Sequence, residues 1–137
     1  MLERNVMHVF TDGACSGNPG PAGAGAVLHY NGEECNLFKY LGNATSNIAE
    51  LSAIKMALEI IKSESQVRIY TDSNYCIGVL SKNWKAKVNV ELIRNIKTML
   101  KNFKSIQFIK IKGHSGHTYN ERADTLAVKA YQPYLIH

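Results

Sequence analysis

An Asn31-Gly32 pair separates two stretches that read as strands, Gly23–Tyr30 and Glu34–Leu41. Asn-Gly accepts the positive φ angles of a two-residue turn whose twist suits paired strands, so the two stretches form an antiparallel hairpin. The next stretch cannot continue that hairpin. Ser46–Ser63 carries Ile48, Leu51, Ile54, Leu58 and Ile61 at helical spacing, behind a polar start, Thr45-Ser46-Asn47. A helical crossover returns the chain to the same edge of the sheet, so the next strand, Gln66–Asp72, pairs in parallel. Val6–Asp12 reads as a strand ahead of the hairpin, separated from it by a Gly/Pro-rich loop, Ala14–Ala22. Further on, Ser73–Leu80 and Val90–Phe103 read as helices, Ile106–Lys112 as a fifth strand and Tyr119–Ala130 as a closing helix. The order β-β-β-α-β-α-α-β-α predicts an α/β fold, a five-stranded mixed sheet flanked by helices. With 137 residues and no repeat or linker, one domain over 1–137 is expected.

Several classes are excluded early. Cys15, Cys35 and Cys76 are odd in number, widely spaced and free of any Cys-x-x-Cys pair, against a disulfide scaffold or thiolate zinc site and for a reducing compartment. The first ten residues are broken by Glu3, Arg4, Asn5 and His8, so no secretory leader is read there. No run of 18 apolar residues occurs, so no membrane span is expected, and a cytoplasmic location is the default. Net charge is +5, but unevenly spread. Between Ser73 and Asn120 nine basic residues (Lys82, Lys85, Lys87, Arg94, Lys97, Lys101, Lys104, Lys110, Lys112) face one acid, Glu91. Such a segment is a solvated helix face or a phosphate-tracking surface, and charge alone does not choose.

The acids are more selective. Only three of eleven are aspartates, and two of these, Asp12 and Asp72, end strands in matching Thr-Asp-Gly and Thr-Asp-Ser contexts. Ligands of open α/β sheets bind outside the carboxyl ends of strands. A strand-end Asp also starts turns or caps helices, so either one alone says little. Glu50 lies on the flank of the first helix's buried stripe, where a carboxylate is costly unless it is paired or metal-bound. Its rival reading is a capping box with Asn47, Asn-x-x-Glu. Asp124 lies among Ala123, Leu126 and Ala127 and reads alternatively as a first-turn acid favoured by the helix dipole. Four acids without thiols suit Mg²⁺ or Mn²⁺, and clustered carboxylates need cations to stay ionised together.

Four segments in order carry a resemblance: Thr11-Asp-Gly-Ala-Cys-Ser-Gly-Asn-Pro-Gly-Pro-Ala-Gly, Thr45-Ser-Asn-Ile-Ala-Glu-Leu, Tyr70-Thr-Asp-Ser, and Lys112-Gly-His-Ser-Gly-His with Asn120-Glu-Arg-Ala-Asp. From about Val6 to Ala130 the chain resembles a type 1 ribonuclease H. The resemblance implies a ribonuclease H-like fold and a metal-dependent endonuclease cutting the RNA strand of RNA–DNA hybrids, with 5′-phosphate and 3′-hydroxyl products. It puts two metal ions, Mg²⁺ with Mn²⁺ as a substitute, on Asp12, Glu50, Asp72 and Asp124, and a catalytic histidine at His114. Glu121 matches a further acidic position near the second metal. For the hybrid it implies Cys15, Gly17, Asn18, Ser46 and Asn47 at the 2′-hydroxyls. Thr45 and Asn89 fall at a DNA-strand phosphate, and Tyr75 and Trp84 at DNA sugars. Taken alone, Tyr75 reads as a core residue, and His117 as a loop histidine in preference to half of a His-x-x-His metal pair.

The chain departs from many relatives in one respect. Leu80–Val90 is too short for their basic, Trp-rich protrusion, and the first strand begins almost at residue 1, so no hybrid-binding domain is expected ahead of it. Affinity then rests on Lys82, Lys85, Lys87 and the channel, and is salt-sensitive. A monomer with no obligate protein partner and no membrane association is expected. Competing readings are weaker. Two prolines and a following strand spoil the glycine-rich loop as a nucleotide fingerprint. The Gly-His-Ser-Gly-His and Thr45–Glu50 motifs disfavour a transposase or resolvase core. A module that binds nucleic acid without cutting would lack a carboxylate, and none is missing.

Overall fold

A computed structural model of the chain describes residues 2–112 and 118–135. Five strands, β1 (Met7–Cys15), β2 (Gly20–Tyr30), β3 (Glu33–Ala44), β4 (Gln66–Thr71) and β5 (Ser105–Lys110), form one sheet in the order β3-β2-β1-β4-β5. The first three are antiparallel neighbours, and β1, β4 and β5 run parallel. Helices α1 (Ser46–Leu58), α2 (Asn74–Ser81), α3 (Val90–Lys101) and α4 (Thr118–Tyr131) complete the expected order, with a 3₁₀ turn at Gln132–Tyr134. Asn31 and Gly32 both have positive φ, 49° and 87°, as the hairpin requires. No helix is long and apolar enough to cross a membrane among the described residues.

Two of the boundaries that differ from expectation have a visible cause. Residues 14–22 do not form one loop, because Ala14 pairs with Gly23 and Cys15 with Ala22, so the ladder runs on to leave a tight turn over residues 16–19. Gly and Ala carry too little side chain to show a strand pattern, yet their amides still need partners. Helix α1 stops at Leu58 rather than at Ser63. Ile60 closes its last turn by donating to Ala57 O, after which Ile61 folds back into the core while Ile60 stays exposed.

Side-chain alternation along the strands sorts the interior into two faces. Val9, Leu28, Val67 and Ile69 meet Leu51, Ile54 and Leu58 of α1, together with α2 and α3. Their sequence neighbours Phe10, Val27 and Tyr70 point the other way, onto Ala123, Tyr119 and Leu126 of α4. Phe10, Leu51, Ile54, Ile69 and Ile96 are fully buried, each contributing about 2–3 kcal/mol of burial. Helix α4 lies so close to β2 that a Cβ on Gly25 would stand 2.2 Å from Ala123 O, and one on Gly23 2.1 Å from Ala127 O.

Both obstructing atoms are backbone, so they cannot swing aside. Gly25→Ala is expected to cost about 1–3 kcal/mol by forcing α4 off the sheet. Urea unfolding followed by circular dichroism should show a lower midpoint at an unchanged slope; an unchanged midpoint would refute the close approach.

Candidate active site

The parallel register pairs Phe10 with Tyr70, and that pairing is the last rung of the β1–β4 ladder. Asp12 and Asp72 each lie two residues further on, so they reach the same height where the two strands stop pairing. Glu50 arrives from the first turns of α1. It can do so because Gly13 has no side chain: a Cβ there would sit 2.3 Å from Ala49 C and 2.4 Å from Glu50 N. The Gly13 N–H donates both to Glu50 Oε1 and, at 3.0 Å, to Asp12 Oδ1. Asp12, Glu50 and Asp72 thereby offer carboxylate oxygens that all lie within 4.8 Å of one another. This corrects the capping-box alternative. The helix cap is Thr45, whose hydroxyl accepts from Ile48 N at 3.2 Å, and Asn47 is exposed inside the helix.

Such crowding is electrostatically costly. Burial pushes the Asp12 carboxyl up to about 7; a hydrogen bond with Glu50 opposes this, and the neighbouring Asp72 and Asp124 raise it further. Glu50 is raised well above the ordinary carboxylate range, first by burial and then by the Asp12 charge. Asp124, on α4, therefore adjoins Asp12, though it stands outside the tight group of three. The donor set is all oxygen, anionic and strained by its own repulsion, and it fits a hard divalent cation. Cys76 is not in the tight group, and burial pushes its thiol up to about 12.

The other expected residues fall into three neighbourhoods. Asn18 ties the 16–19 turn to the α1 start: its Oδ1 accepts from Ser46 N at 3.0 Å, and its Nδ2 donates to Ser46 Oγ at 3.3 Å. Gly17 has φ +85° in that turn, Cys15 is half-buried at the end of β1, and Thr45 caps the same helix. Asn89 precedes α3 and donates to the Tyr75 hydroxyl at 3.2 Å, while Tyr75 packs on the core. Trp84 is half-exposed, one part of its ring lying against Gly78. Glu121 is exposed in the first turn of α4 and is not in the tight carboxylate group. His114 and His117 lie outside the described residues.

Sequence reasoning overlooked a closed circuit of five rings. His8 stacks on Tyr70, Tyr70 on Phe10 and Phe10 on Tyr119, while His29 meets both Tyr119 and His8 edge-on. His8 Nε2 lies 2.8 Å from Glu3 O, a carbonyl that only accepts, and Nδ1 lies 2.7 Å from the Tyr70 hydroxyl. Tyr119 is the second residue of α4, and Arg122 lies over its ring while pairing with Glu34. The circuit thus mounts the N-terminal end of α4, the helix that carries Asp124 in its middle. The alternating aromatic positions 8, 10 and 70 were the available signal, but the pairing across four elements was not.

A family model described as RNase H matches residues 4–132. The chain is 39% identical to a ribonuclease H of Bartonella quintana, covering 96% of this chain and 93% of that one. It is 42% identical to a ribonuclease H of a Bradyrhizobium species, covering 93% and 90%. Among solved structures, RNase H1 from the halophilic archaeon Halobacterium salinarum superposes with a TM-score of 0.78 at 29% identity, covering 93% of this chain and 98% of that one. LC11-RNase H1 in complex with an RNA/DNA hybrid superposes with a TM-score of 0.81 at 26% identity, covering 95% and 99%.

The raised carboxyls predict how the metal-free protein responds to pH. Both bind protons more readily folded than unfolded, so their contribution is whole below the ordinary carboxylate range and is lost as pH rises toward 7. Every tenfold gain in proton affinity on folding is worth about 1.4 kcal/mol. Thermal melts in EDTA should therefore fall from pH 5 to pH 8. Asp72→Asn, which removes one repelling charge, should flatten that fall. Equal slopes in both proteins would show that Asp72 does not load Asp12.

Proposed function

The chain belongs to the ribonuclease H family, in its type 1 branch, and on that footing we propose that it hydrolyses the RNA strand of RNA–DNA hybrids to 5′-phosphate and 3′-hydroxyl ends. The observation that carries this reading is the group of Asp12, Glu50 and Asp72 oxygens within 4.8 Å, formed where β1 and β4 stop pairing. We read residues 1–137 as a single catalytic domain working in a reducing cytoplasm.

Asp12, Glu50, Asp72 and Asp124 would hold two divalent ions, Mg²⁺ or in its place Mn²⁺, with Glu121 near the second. Bound there, the ions supply activation of the attacking water and stabilisation of the departing 3′-oxygen. The chain's own residues do the rest. Gly13 N–H holds Glu50 and Asp12 with their oxygens converging, so the site is built before substrate arrives. Fastened together by Asn18 and Ser46, the 16–19 turn and the α1 start form a rigid corner for reading 2′-hydroxyls, joined by Cys15, Gly17 and Asn47. Thr45, whose hydroxyl proton is still available to donate, and Asn89 hold a DNA-strand phosphate. Tyr75 and Trp84 lie against DNA sugars. His114, through its imidazole, moves a proton or assists departure of the 5′-phosphate.

Incubating a labelled hybrid with Mg²⁺ should yield RNA fragments with those ends, and EDTA should stop the reaction; uncut RNA in Mg²⁺ and in Mn²⁺ would overturn the proposal. Asp72→Asn is expected to lower turnover by about 10³-fold or more while leaving hybrid binding intact. His114→Ala should slow it by roughly 10–100-fold. Between about 50 and 200 mM salt, hybrid affinity should fall by at least about tenfold; a flat curve would contradict the reliance on Lys82, Lys85 and Lys87.

A further inference from the structure

Arg94, Lys97 and Lys101 border a groove of about 800 Å³ that also takes in Lys85 from the α2–α3 connection. The floor is aliphatic, formed by Leu80, Ile93 and Leu100 among others. It lies at the C-terminal end of α2, whereas Asp72 precedes the N-terminal end, about 12 Å away along eight helical residues. No carboxylate lines the groove, and the nearest acid in sequence, Glu91, is already engaged by Arg94. Lys85, Lys97 and Lys101 make no ion pair among the described residues.

We propose that this groove docks an acidic peptide segment of another protein, its carboxylates on Lys97 and Lys101 and an aliphatic or aromatic side chain on the Leu80–Ile93–Leu100 floor, in competition with the hybrid at Lys85 and Trp84. Charge complementarity selects the sign of the partner, and the concave apolar floor selects its class. Single-stranded nucleic acid is held by successive aromatic platforms. Here Trp84 is the one aromatic in the lining among the described residues, and part of its ring is already packed on Gly78. A second copy of this chain is a poor fit as well. Its one pair of adjacent acids is Glu33-Glu34, and Glu34 is bound by Arg122.

Trp84 is the single tryptophan of the sequence and lines the groove, so its emission reports occupancy. The probe is a synthetic twelve-residue peptide of Asp and Glu around two phenylalanines, titrated into the full chain at physiological salt. Saturable change in Trp84 emission is expected. Replacing both phenylalanines by serine, or introducing Lys97→Glu with Lys101→Glu, should weaken binding at least tenfold. Hybrid affinity and cleavage by that double variant should stay within twofold of the parent, with an unchanged circular dichroism spectrum. Absence of saturable binding, equal binding by the double variant, or an equal loss of hybrid affinity would overturn the proposal. The last result would assign the groove to nucleic acid. Because cleavage is assayed separately, failure here leaves the ribonuclease reading standing, and the reverse also holds.

Discussion

The amide of Gly13 is the pivot of this structure. Helix α1 lies so close to β1 that no side chain fits between them, and the one N–H at that contact is shared by Asp12 and Glu50. Without the contact Glu50 would be an acid on the flank of an apolar stripe. With it, Glu50 converges on two strand-end aspartates. A hydrogen bond to a buried carboxylate recovers part of what its desolvation costs. It does not recover all of it, since both Asp12 and Glu50 remain raised. The fold therefore holds the site against its own repulsion, and the aliphatic face beneath it must supply the difference.

The two faces of the sheet divide the task. The face toward α1 is aliphatic and continuous, with α2 and α3 extending it, and it holds most of the buried apolar residues. The face toward α4 is narrower and aromatic, and it is pinned by glycines that admit the helix backbone. Rings fix orientation more tightly than methyl groups because their stacking is directional. That suits a helix that sets Asp124 beside Asp12 from the far side of the sheet. A small displacement of α4 would change the Asp12–Asp124 interaction long before it unfolded the domain.

Much of this was legible in the sequence, for identifiable reasons. Asn31-Gly32 set the hairpin, and helical spacing set the crossovers, which together force the parallel β1–β4 pair. From there, two Thr-Asp strand ends had to meet. Glu50 was visible as an acid in a costly place, but its anchor was not, because Gly13 bears no side chain from which to infer a contact. The same silence hid the extended pairing of residues 14, 15, 22 and 23, where alternation cannot register in Gly and Ala. The five-ring circuit was hidden differently. Its members come from β1, β2, β4 and α4, and only the folded register brings His29 beside Tyr119. The groove beside α3 left no mark in the sequence because its lysines read equally well as an ordinary solvated face.

Charge placement bears on the same repulsion. The Ser73–Asn120 segment holds nine cations and one acid, yet none of those cations forms an ion pair with Asp12, Glu50 or Asp72 among the described residues. The Lys110 ammonium donates instead to the backbone carbonyl of Asp72. A lysine on the carboxylates would have relieved their repulsion and stabilised the fold, at the cost of occupying the oxygens. Held on the carbonyl instead, it fixes the end of β4 and leaves the carboxylate oxygens to an external cation. The site's electrostatic strain is thus relieved from within only in part, by the Gly13 amide, and a donor set under that strain suits a divalent ion.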